Sequence, residues 1–142
     1  MTGHEVEVNV IVESRYFCEQ TSLHHRVQHG NKRLIHLLLQ QKSIDPNITD
    51  RGSMTPLADA AYRGNHTIVR LLLNHKHINV NAPGKENPTP LCKAAIAGHA
   101  RVVKELLTHP NIKPNESRSY DGCSALLNAT AIGSVEIVDL LL

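Results

Sequence analysis

The sequence predicts an all-α fold, a solenoid of stacked helix-turn-helix units joined by projecting hairpin loops. Three observations predict it. Leu23, Leu57 and Leu91 recur at a step of 34 residues, and Gly30, Gly64 and Gly98 keep the same step. Asn47, Asn81 and Asn115 keep it too. A fourth copy, Ser124-Ala125-Leu126 with Gly133, comes one residue late, which places the extra residue in the loop between Asn115 and Ser124. Within each step the apolar residues follow helical spacing, and a fixed period of this length marks a repeat architecture.

Residues 1–17 stand apart as an N-terminal arm, and residues 18–142 hold the repeats, in blocks of about 18–48, 49–81, 82–115 and 116–142. In the arm, Val6, Val8, Val10 and Val12 alternate with Glu5, Glu7, Asn9 and Ile11, the periodicity of a strand. A lone strand has open edges. It either lies as an extended arm on the first repeat or pairs with a segment absent from this chain or with another molecule.

The first repeat opens with a polar helix, Ser22 to His29, suited to the wet outer face of an end unit. Its second helix carries Leu34, Ile35, Leu37, Leu38 and Leu39, and Asp50 and Gly52 then form a turn. The second repeat states the pattern most fully. Thr55 is the expected N-cap and Pro56 the first helical residue. Leu57, Ala60 and Ala61 share one helical face. Gly64 takes the left-handed conformation that stops the helix, and Asn65 caps a second helix with Ile68, Val69, Leu71, Leu72 and Leu73 on its apolar side. The third repeat repeats this with Thr89-Pro90-Leu91, Ala94, Ala95 and Gly98, then Val102, Val103, Leu106 and Leu107. The paired alanines let neighbouring helices approach closely. In the fourth repeat Leu126 and Ala129 face inward, Thr130 replaces the second alanine, and the chain stops on Leu140-Leu141-Leu142. That apolar end is expected to be followed by more protein or covered by a partner.

The wording Thr-Pro-Leu-x-x-Ala-Ala-x-x-Gly followed by Ile-Val-x-x-Leu-Leu resembles the ankyrin repeat. The resemblance covers about residues 18–142. Thr55-Pro56-Leu57 and Thr89-Pro90-Leu91 match its opening fully; Thr21-Ser22-Leu23-His24 and Ser124-Ala125-Leu126 match less closely. It implies helix pairs with hairpin loops projecting to one side. For His24 it implies a structural hydrogen bond between repeats; Ala58, Cys92 and Leu127 take that place in the other copies.

Composition excludes several classes. A net charge of +2, spread along the chain, does not argue for nucleic acid. No apolar run approaches the roughly 20 residues of a membrane helix, and no signal peptide is visible. Three cysteines, Cys18, Cys92 and Cys123, lie in separate repeats and fit a reducing compartment, so a cytoplasmic location is expected. His25 and His29 share a helix face and His75 and His77 share a loop, but neither pair has a cysteine or carboxylate at ligand spacing. Cys92 sits in a first helical turn among core residues. No phosphate loop, paired carboxylates or serine elbow occurs. The chain is therefore expected to be non-catalytic, without cofactor or metal.

What remains is surface. The concave side is expected to carry His25, Gln28 and His29, then Asp59, Tyr62 and Arg63, then Lys93, Ile96 and Ala97, then Asn128, Ala131 and Ile132. Arg51, Ser53, Met54, Lys85, Glu86, Asn87, Ser119 and Tyr120 stand at the loop tips. The resemblance implies that such positions bind another protein, and Tyr62 and Arg63 are the residue types that anchor interfaces. Ile96 and Ile132 exposed on one groove point the same way. Asn81, eight residues after Leu73, resembles the site that ankyrin repeats offer to asparaginyl hydroxylases; otherwise it closes a turn, as asparagine tolerates left-handed geometry. The expected function is that of a monomeric protein-binding module. The alternative is the substrate-recruiting part of a larger enzyme or secreted effector, since the wording of 109–115 looks like repeats in effectors of intracellular bacteria, which would act in a host cytosol or nucleus.

Overall fold

The computed structural model describes residues 11–14, 17–82, 88–116, 122 and 124–142, with side chains from Ser22 onward. Two short strands come first, β1 (Ile11–Ser14) and β2 (Phe17–Thr21). Eight helices follow among the described residues. They are α1 (Ser22–Gln28), α2 (Lys32–Leu39), α3 (Pro56–Arg63), α4 (His66–Leu73), α5 (Pro90–Ile96), α6 (Ala100–Leu107), α7 (Ala125–Ala131) and α8 (Val135–Leu141).

Most of the strand reading falls outside the described residues. The alternating residues Val6, Val8 and Val10 lie outside the described residues, and β1 pairs antiparallel with β2, matching Ile11 with Thr21 and Val12 with Gln20. The partner is thus the adjoining segment of this same chain. Short-range antiparallel pairing needs only a tight connection and fills one edge of each strand.

Each helix pair forms for local reasons. Thr55, Thr89 and Ser124 use their side-chain oxygens to accept from Ala58 N, Cys92 N and Leu127 N, satisfying one of the free donors at a helix start. Asn31, Asn65 and Ser134 do the same for the second helices. Between the two helices Gly64 stands at φ 75°, a region that costs an L residue about 1–2 kcal/mol.

The first helices pack in one row, α1 against α3, α3 against α5 and α5 against α7. The second helices form a parallel row, α2–α4–α6–α8. One continuous core runs between them, built on Leu23, Ile35, Leu57, Ile68, Leu72, Leu91, Leu106 and Ile137. Ala60, Ala61, Ala94 and Ala95 have no solvent exposure, as close packing of the first row requires. Outside the core, Arg70 of α4 pairs with Glu105 of α6.

The loops are also joined. Asn47 donates from Nδ2 to His77 O at 2.7 Å and accepts from Asn79 N at 2.7 Å. Asn81 repeats this one unit on, donating to Asn111 O at 2.7 Å and accepting from Lys113 N at 2.9 Å. This corrects the turn reading. The single non-glycine residue at positive φ among the described residues is Ser53, so these asparagines are placed for their amides and not for left-handed backbone.

Candidate functional site

The open face of the α1–α3–α5–α7 row is the candidate site. Tyr62, the next-to-last residue of α3, is 50% exposed, and Arg63 beside it is exposed too. One turn earlier on the same helix lies Asp59. It was expected on the surface but is only 6% exposed, which takes it out of the set of direct contacts. α3 is packed between α1 and α5, and the short Asp59 side chain is buried in that row while Tyr62 and Arg63 stay exposed.

Asp59 Oδ1 accepts from Arg63 Nε at 3.0 Å. A carboxylate held in place grips Arg63 by its inner nitrogen, and among the described residues the two terminal nitrogens meet no partner. The second oxygen, Asp59 Oδ2, is buried without a hydrogen bond. From the next repeat, Lys93 Nζ lies 5.7 Å from the centre of the Tyr62 ring, within cation–π range. Tyr62 thus meets Lys93 of the neighbouring helix, while Arg63, the next residue, turns its Nε to Asp59.

The remaining predicted residues spread along the row. His25 and Gln28 are half-buried and His29 is exposed. The His25 and His29 rings lie 4.2 Å apart, and His29 Nδ1 donates to His25 O at 2.8 Å. His25 titrates lower than an ordinary histidine, through burial first and then the nearness of His29 and Arg26. Among the described residues no group of three or more His, Cys, Asp or Glu is gathered to hold a metal ion. At the other end Ile96 and Ile132 are exposed, and Asn128 is half-buried with Nδ2 unpartnered. Ile132 Cδ1 comes within 3.6 Å of where a Cβ on Gly98 would stand, so it reaches back over the turn that follows Ile96. Arg51 is exposed in its loop; Lys85, Glu86, Asn87, Ser119 and Tyr120 lie outside the described residues.

His24 is fully buried, and its Nε2 donates to Met54 O at 2.7 Å in the loop of the following repeat. Burial pushes its pKa down, against the opposing pull of that carbonyl and of Asp50 and Asp59. Asn81 is half-buried with both ends of its amide engaged. Cys92 is a buried thiol whose Sγ lies 4.0 Å from Glu116 O.

One residue escaped the sequence reading. His99 stands where Asn31, Asn65 and Ser134 cap their helices, yet it makes no side-chain cap. Its ring lies over Gly64 and its Nε2 donates to Tyr62 O at 3.0 Å. The break in that column of capping residues was the available signal.

A family model described as ankyrin repeats (three copies) matches residues 3–84 and again 76–142. The chain belongs to the ankyrin-repeat family. Comparison with curated proteins gave no match. Ankyrin repeats are generally protein–protein interaction modules and typically non-catalytic. In this ankyrin-repeat chain no described helix is long and apolar enough to cross a membrane.

Proposed function

We propose that the chain is a non-catalytic module that binds a partner protein on the open face of its first-helix row, with the loop around Arg51 as a second contact. The observation that carries this is Tyr62, half exposed with Lys93 against its ring, with Ile96 and Ile132 uncovered farther along the same face. Large amphipathic and aliphatic side chains left in water on a rigid surface are what protein interfaces bury. The face is preformed: its residues sit on helices packed on both sides, so partner docking requires little backbone movement. The module acts as a monomer in the cytoplasm, where a thiol such as Cys92 stays reduced.

Affinity capture with the wild-type chain and with a Tyr62→Ala, Arg63→Ala variant tests the reading. The variant is expected to lose partners that the wild type retains. Tyr62 is exposed, so Tyr62→Ala alone should melt close to the wild type, whereas Arg63→Ala leaves the buried Asp59 carboxylate unpaired and lowers the transition; the single Tyr62→Ala variant therefore accompanies the double one. Identical partners for the two proteins would sink the proposal.

A further inference from the structure

The open face is not uniform. Asp59 is the one carboxylate on the four first helices, and it is buried against Arg63. Among the described residues the outer guanidinium nitrogens of Arg63 meet no partner, and Lys93 stands one helix along with its ammonium over the Tyr62 ring. Lys93 thus stands against the aromatic ring while Arg63 follows Tyr62 on the same helix, and the described first helices carry no exposed carboxylate. One step farther the surface turns apolar: Ile96 is 39% exposed, and Ile132 is 48% exposed and reaches back toward it across Gly98. The face thus presents a cationic station followed by an aliphatic one.

The spacing sets the size of what fits. Neighbouring packed helices stand about 10 Å apart. An extended chain advances about 3.3 Å per residue, so one helix step corresponds to about three residues. We infer that the face between α3 and α7 recognises a linear segment of a partner protein in which an acidic residue, held by Arg63 and Lys93, is followed or preceded about three positions away by an aliphatic residue seated on Ile96 and Ile132. This rests on the proposed role of the face as a protein-binding surface and adds the chemistry of the partner. A carboxylate suits the station because a guanidinium fork binds it in two places, while Lys93 adds a second charge. The aliphatic contact supplies the apolar burial that charge pairing at a wet surface lacks.

A random dodecapeptide phage library panned on the intact chain, followed by fluorescence titration of the selected synthetic peptides, tests this. Enriched peptides are expected to carry Asp or Glu about three positions from Leu, Ile or Val. Lys93→Glu and Ile132→Asp are each expected to weaken binding about tenfold, with Lys104→Glu, exposed on α6 in the other helix row, as a control that leaves it unchanged. A peptide with Lys in place of its acidic residue should bind the Lys93→Glu variant better than it binds the wild type, a rescue that misfolding cannot produce. Selected peptides that ignore both substitutions would overturn the inference while leaving a binding module that works through other residues. Binding that vanishes with salt yet is indifferent to Ile132→Asp would also overturn it, as the mark of a bare polyanion. A library with no binder overturns it as well, and the module reading then falls only if the Tyr62→Ala, Arg63→Ala capture also shows no difference.

Discussion

His99 Nε2 donates to the carbonyl of Tyr62 at 3.0 Å, and its ring fills the space beside Gly64. The turn of the third repeat is thereby latched onto the helix end that carries the aromatic centre of the proposed binding face. A Cβ added to Gly64 would stand 2.6 Å from that ring, in a backbone already at φ 75°. Gly64→Ala is therefore expected to destabilise the fold by more than Gly133→Ala, whose left-handed strain of about 1–2 kcal/mol comes with nothing within 4 Å. Urea unfolding of the two variants compares them. Adding His99→Ala to Gly64→Ala should bring its cost down toward that of Gly133→Ala; equal costs from the outset would show that the ring swings away freely.

Loop cohesion gives a second expectation. Asn81→Ala leaves Asn111 O and Lys113 N without their partner, and losing such bonds costs about 1–3 kcal/mol. Asn115 holds the same place in the period but is exposed, so Asn115→Ala should fall within about 0.5 kcal/mol of the wild type. Denaturant midpoints for both variants decide this, and matching losses would contradict the bridging role.

Acidification gives a third. Burial holds the pKa of His24 below its ordinary 6.5, so the folded chain resists a proton that the unfolded chain accepts. Stability is accordingly full above pH 6.5 and falls as the pH drops below it, continuing until the lowered folded value is passed. His25 and His75 are shifted in the same direction and add to the slope. Glu105, whose pKa is held down by Arg70, acts in a lower window, losing its contribution as the pH falls below 4.5. Unfolding midpoints at pH 7.5 and 5.5 should differ more for the wild type than for His24→Asn. Equal differences would mean that His24 does not sense the medium.

Asp59 offers a fourth. Its Oδ2 is buried without a donor, so Asp59→Asn removes an incompletely satisfied charge and should change stability by less than about 1 kcal/mol. The same change weakens the hold on Arg63, and binding of a selected peptide is expected to drop severalfold. Calorimetric titration beside thermal melting separates the two effects. A melting shift with unchanged affinity would assign Asp59 a purely structural role.

Much of this molecule was legible before any coordinates. The period of the Leu, Gly and Asn columns located all four repeats, and Thr55, Asn65 and Gly64 act at the helix ends where their chemistry placed them. Those features depend on bonds spanning three or four residues, which a chain carries in its local wording. The exposure of Tyr62, Arg63, Ile96 and Ile132 was readable for a similar reason, since they stand opposite the apolar face of their own helix turn.

Asp59, His99 and the asparagine bridges were not readable in this way. Asp59 sits on the same side of its helix as Arg63, yet in the stacked row one is buried and the other stays in water. His99 forgoes a cap of its own because Tyr62 O, 37 residues earlier, comes within reach once the repeats stack. Asn81 finds its partners 30 and 32 residues later. The sequence by itself determined the repeats and their local helix boundaries, because those follow from neighbours along the chain. Only the tertiary structure decided which polar groups meet across repeats and which stay open to a partner, because that depends on distances set by stacking.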